Sequence, residues 1–130
     1  MSSLLGTGLE TMARKKGLVC IVLIEQNDED ERKLINTFNR LNFEIFEGFP
    51  HKDINSRNII ALIKRFMKDQ RDLPRIFIIS THGNARNELK LKDGENTAFY
   101  LHQITAQFSY NSIPAHLKSV QKLIVVDACR

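Results

Sequence analysis

The chain has 130 residues, 42% of them apolar and 26% charged, with a formal net charge of +4. That length holds one domain around a single core, and the balance excludes an intrinsically disordered chain. No apolar run nears the roughly 20 residues of a membrane-spanning helix, and the scattered basic residues form no stripe interleaved with aromatics of the kind that tracks nucleic acid.

The opening MSSLLGTGLETMARKKG lacks a long hydrophobic core behind a positive start, so no secretory signal is expected and the chain reads as cytoplasmic. Residues 1–16 are taken as an N-terminal leader and 17–130 as the domain. GLVCIVLI at 17–24 is a continuous apolar run, the pattern of a strand buried on both faces of a parallel sheet. Cys20 lies inside it and packs as a small hydrophobe. A helix is expected over 27–41, capped by Asn27 or Asp28, acidic in its first turn, with Leu34, Ile35, Phe38 and Leu41 on one face.

FEIFEGF at 43–49 alternates as a second, edge-like strand. The next helix covers about 56–69, where Ile59, Ile60, Ile63, Phe66 and Met67 repeat at amphipathic spacing. RIFIIS at 75–80 is the third strand. Residues 84–100 read as a small hairpin or insertion turning at Asp93 and Gly94. A short helix near 101–108 presents Leu101, Ile104 and Phe108, and Pro114 breaks the chain before a fourth strand, KLIVVD, at 122–127. Two cysteines, Cys20 and Cys129, make neither a disulfide framework nor a metal-ligand spacing.

Strands alternating with helices predict an open α/β sheet with right-handed crossovers, and such sheets carry their sites at the carboxyl ends of the strands. His82 follows the third strand and Cys129 the fourth. If those strands are neighbours, about 4.8 Å apart, the two side chains meet. A thiol becomes a good nucleophile when ionised or paired with a base, and imidazole fills either role near neutral pH. The backbone N–H groups of Gly83 and Cys129 are candidate oxyanion donors. Nucleophile, base and donors together describe acyl transfer from a peptide carbonyl.

STHG at 80–83 resembles the Ser-His-Gly histidine segment of caspases, with Thr81 inserted or substituting, and DACR at 127–130 resembles their Gln-Ala-Cys-Arg-Gly segment. His82 and Cys129 stand 47 positions apart, close to the roughly 50 characteristic of caspases. LKDGENTAFYLHQITAQF is similar to the family's turn and short helix, and LNFEIFEGFPHKDINSRNIIALIKRF to its second strand and helix. The resemblance spans about 17–130. It implies a caspase-like three-layer α/β/α sandwich with a mostly parallel sheet, incomplete without a small subunit. It further implies a cysteine endopeptidase of apoptosis or innate immune signalling. In that reading Cys129 is the nucleophile, His82 the general base and acid, and Gly83 with Cys129 the oxyanion hole. No cofactor or metal is required. The partners are a protein or peptide substrate and a small subunit or caspase-like dimer partner, with no nucleic acid and no membrane.

Asp127 departs from the family pattern. Caspases place Gln there to help hold a substrate aspartate, and no arginine follows the first strand closely enough to clasp one. Metacaspases and paracaspases place Asp at this position and cut after Arg or Lys. Asp127 is therefore assigned to the specificity pocket, with Asp and Arg/Lys both open as the residue cut after. The family's small subunit is not present, so the chain is expected to be poorly active alone. It is either a large-subunit fragment or a truncated relative acting as an inactive decoy or regulator that binds a protease or adaptor. A phospho-receiver would need an aspartate at the end of the third strand, where Ser80, Thr81 and His82 stand, and no glycine-rich phosphate loop follows the first strand.

Overall fold

The computed structural model describes residues 14–24, 26–83, 86–92 and 98–129, with the backbone alone at Cys129. The leader residues 1–13 and the expected Asp93–Gly94 turn lie outside them. Four strands, β1 (Gly17–Leu23), β2 (Phe43–Ile45), β3 (Arg75–His82) and β4 (Lys122–Cys129), form one sheet in the order β2-β1-β3-β4. Every pairing is parallel. Helices α1 (Asp28–Arg40), α2 (Ile59–Lys68) and α3 (Leu101–Thr105) complete the expected three-layer α/β/α arrangement.

All seven residues of β1 are buried, as its uninterrupted apolar run requires of a central strand. Leu18, Cys20 and Val22 face one layer, packing with Phe77 and Ile79 of β3 and with Ile59, Leu62, Ile63, Phe66 and Met67 of α2. Val19, Ile21 and Leu23 face the other, against Phe38 of α1 and Ile78. Asn27 caps α1 by accepting the Asp30 N–H at 2.8 Å. The apolar face of α1 is narrower than its sequence suggests. Phe38 is its one buried residue, Leu34 packs beside it, and Leu41, past the last turn, is 51% exposed.

Several element boundaries differ from the sequence reading. The second strand ends at Ile45, because Glu47 (φ 62°) and Gly48 (φ 84°) turn the chain through left-handed conformations. The chain rejoins the sheet margin at His51, whose N–H donates to the Ile21 carbonyl and whose carbonyl accepts from Leu23 N–H. Helix α2 starts at Ile59, because Asn55 and Asn58 spend their side-chain oxygens on nearby backbone N–H groups in a preceding turn. Strands β3 and β4 each run two residues further than expected, pairing Thr81 with Ala128 and His82 with Cys129. The final pair therefore belongs to the strands rather than to loops beyond them.

Arg75, read from sequence only as the start of a strand, is fully buried. Its guanidinium donates to the carbonyls of Leu73, Asp69 and Arg71 and lies 5.7 Å over the Phe66 ring, tying the turn before β3 to the core.

Candidate active site at the tips of the third and fourth strands

Side chains alternate across a strand, and the packing follows that rule. On β3, Phe77 and Ile79 face the α2 layer while Ile76 and Ile78 face the α1 layer. On β4, Ile124, Val126 and Ala128 join the α2 layer. Leu123 and Val125, in register with Ile76 and Ile78, face the other way and are 55% and 36% exposed.

At the carboxyl ends the register brings chemistry together. Ser80 pairs with Asp127, and His82 with Cys129. Buried Ser80 donates its hydroxyl to the Asp127 carboxylate at 3.1 Å. His82 is exposed at the end of β3, and the 129 backbone lies across from it. A cleft of about 390 Å³ opens on this face between α1 and the sheet. Gln26, Asp30, Lys33, Ser80, Val125 and Asp127 are among the residues that line it. Lys33 is paired with Glu29 at 3.3 Å.

Gly83 has a steric reason to be glycine: a Cβ there would sit 3.0 Å from the Ala128 Cβ and 3.3 Å from the Glu88 carbonyl oxygen. From Gly83 the chain departs and returns as residues 88–92, which lie against the strand tip. Gly83 bridges Leu89, Lys90 N–H donates to the His82 carbonyl at 2.8 Å, and the Thr81 hydroxyl donates to the Lys90 carbonyl.

The other histidines are occupied elsewhere. His51 is buried at the β2 margin with Nε2 3.4 Å from Glu47. His102 stacks on Tyr100, and His116 bonds the Asp69 carbonyl. Cys20 is a free, fully buried thiol. Burial, reinforced by the Glu47 carboxylate, pushes its ionisation far above the ordinary thiol range, so it cannot serve as a nucleophile near neutral pH. Among the described residues, no three His, Cys, Asp or Glu side chains gather into a metal-binding group, and no helix is long and apolar enough to cross a membrane.

A family model described as the caspase domain matches residues 24–130, a span that includes every one of these strand-tip residues. The chain belongs to the caspase family. Its sheet order and layers are those of a caspase-like α/β sandwich, and the family's chemistry is that of cysteine peptidases acting on protein substrates. No curated protein gives a significant match. Within this caspase domain the structure adds two residues to those legible from sequence. Ser80 holds the carboxylate of Asp127, and Thr81 ties the β3 tip to residue 90. The alternation of S-T-H on a strand was the available signal, since it sends the serine and histidine to one face and the threonine to the other.

Proposed function

We propose that the chain is the large subunit of a caspase-like cysteine endopeptidase whose nucleophile is Cys129 and whose general base and acid is His82. The observation that carries this reading is the pairing of positions 82 and 129 at the tips of adjacent parallel strands. The Cys129 sulfur attacks the scissile carbonyl carbon as its proton passes to the His82 imidazole. The N–H groups of Gly83 and Cys129 stabilise the oxyanion. Collapse breaks the C–N bond, the amine leaves with the proton from His82, and water then releases the acyl group from sulfur while the thiol recovers its proton. A small subunit is the proposed partner at the outer margin of β4.

The substrate side chain taken by this site is proposed to be basic. Asp127 and Asp30 both line the cleft beside the strand tips, and Ser80 fixes the Asp127 carboxylate there. A substrate carboxylate about 4 Å from Asp127 would meet a repulsion of about 4 kcal/mol at an effective dielectric of 20, roughly a thousandfold in affinity. An Arg or Lys side chain gains from the same field.

A second reading, an inactive caspase-like decoy or regulator that binds a protease or adaptor, draws on Leu123 and Val125, two apolar side chains exposed on the outer strand. Irreversible peptidyl probes ending in Arg or in Asp separate the readings. Arg-selective labelling of Cys129 that vanishes in His82→Ala supports the peptidase. Asp-selective labelling overturns the basic preference. Absence of labelling, with a caspase small subunit also supplied, favours the decoy.

A further inference from the structure

We infer that Thr81 is a positioning residue for His82, acting through a backbone clamp on residue 90; this rests on the reading of His82 as the general base. His82 is the last residue of β3 and exposed, and strand tips are where sheets open locally. A base that must meet a nucleophile within about 0.5 Å of the productive position needs a support that resists such opening.

The support comes from Lys90. Its N–H donates to the His82 carbonyl at 2.8 Å and its carbonyl accepts the Thr81 hydroxyl, so one residue grips both sides of the 81–82 peptide. Thr81 is 1% exposed, and its grip lies on the sheet face opposite the Ser80–Asp127 pair. Lys90 is itself anchored. Its neighbours Leu89 and Leu91 are buried at 4% and 2% exposure. Leu89 N–H bonds the Phe99 carbonyl at 2.7 Å, and Lys92 N–H bonds the Ile54 carbonyl at 2.8 Å. The core thus holds the 88–92 segment, and that segment holds the strand tip. Thr81 makes no use of its hydroxyl toward substrate; it acts by fixing the backbone from which the imidazole projects.

The test is the rate at which iodoacetamide modifies Cys129 in the full chain, read by peptide mass across a pH series. Cys20 is buried and stays silent. His82→Ala defines the rate without the base. Thr81→Val, equal in shape but lacking the hydroxyl, is expected to slow modification near neutral pH by about tenfold, since small misplacements of a reacting pair carry losses of that order or more. It should also move the acid limb of the profile toward that of His82→Ala. Thr81→Ser restores the hydroxyl and is expected to restore both rate and profile, which a purely packing role would not do. Amide exchange at Lys90 should quicken in Thr81→Val and not in Thr81→Ser. Should the valine variant fail to fold, Thr81→Ala is carried through the same two measurements. If wild type and His82→Ala react alike, the base assignment itself fails and this inference with it. If wild type depends on His82 while folded Thr81→Val or Thr81→Ala keeps the wild-type rate and profile, only the positioning role is overturned. Slow modification in Thr81→Ser as well would also overturn it.

Discussion

The two faces of the sheet are built differently. One is closed: α2, α3 and the turns around them press on β1, β3 and β4, and nineteen buried residues join in its cluster, against five on the other face among the described residues. The other carries α1 over β1 and β2 and leaves the β4 side exposed through Leu123 and Val125. Ser80, Asp127 and the cleft lie on that open face. The contrast assigns stability to the closed face and leaves the open one free to admit a substrate or a partner.

Substitutions can break that division or sharpen it. The largest effect is expected from Phe66→Ala on the closed face. Phe66 is fully buried and meets Phe46 edge-on at 5.3 Å, so the cavity should lower stability by about 3–5 kcal/mol in urea or guanidinium unfolding. Arg75→Met comes next, at about 2–3 kcal/mol by the same measurement, because it removes the donors to three carbonyls of the turn before β3. A smaller loss appears on acidification. Burial holds the His51 imidazole below its ordinary 6.5, with Glu47 opposing that shift in part. The unfolded chain therefore binds a proton that the folded one resists. The contribution of His51 is complete above about pH 6.5 and is lost as pH falls through the lower folded value, so His51→Gln should flatten that upper part of the acid limb. Glu44 and Asp69, held low by Arg71, and Glu47, held low by Arg65, add a further loss below their ordinary carboxylate range. Smallest of all, Val125→Ala on the open face should change stability by less than about 0.5 kcal/mol. A loss comparable to that of Phe66→Ala would mean that this face is covered in the folded molecule, and the contrast would fall.

Much of this layout is legible in the sequence alone. The unbroken apolar run of β1 announces a strand buried on both sides, and His82 and Cys129, read as lying just beyond two strand ends, are expected to meet if those strands are neighbours, which they are. What the sequence concealed were effects of tertiary context. Thr-His and Ala-Cys look like departures from a strand, yet each pair finds the other as a pairing partner and both strands lengthen. Glu47 in a left-handed turn gave no warning that β2 would stop. The apolar spacing of α2 did not reveal that Asn55 and Asn58 would delay its start. The burial of Arg75 depends on carbonyls supplied by a turn whose path no local pattern specifies. At the site, Asp127 was visible as an unusual carboxylate, whereas its hydroxyl partner Ser80 became visible only with the register.

The central claim is that positions 82 and 129 stand opposite one another on one face of neighbouring strands. Mild oxidation of a His82→Cys variant tests it directly. Strands about 4.8 Å apart fall within the Cα separation of about 4.4–6.8 Å that a disulfide accepts. The account predicts an intramolecular 82–129 disulfide that leaves Cys20 as the single free thiol. Persistence of both thiols, or pairing only between molecules, would contradict it.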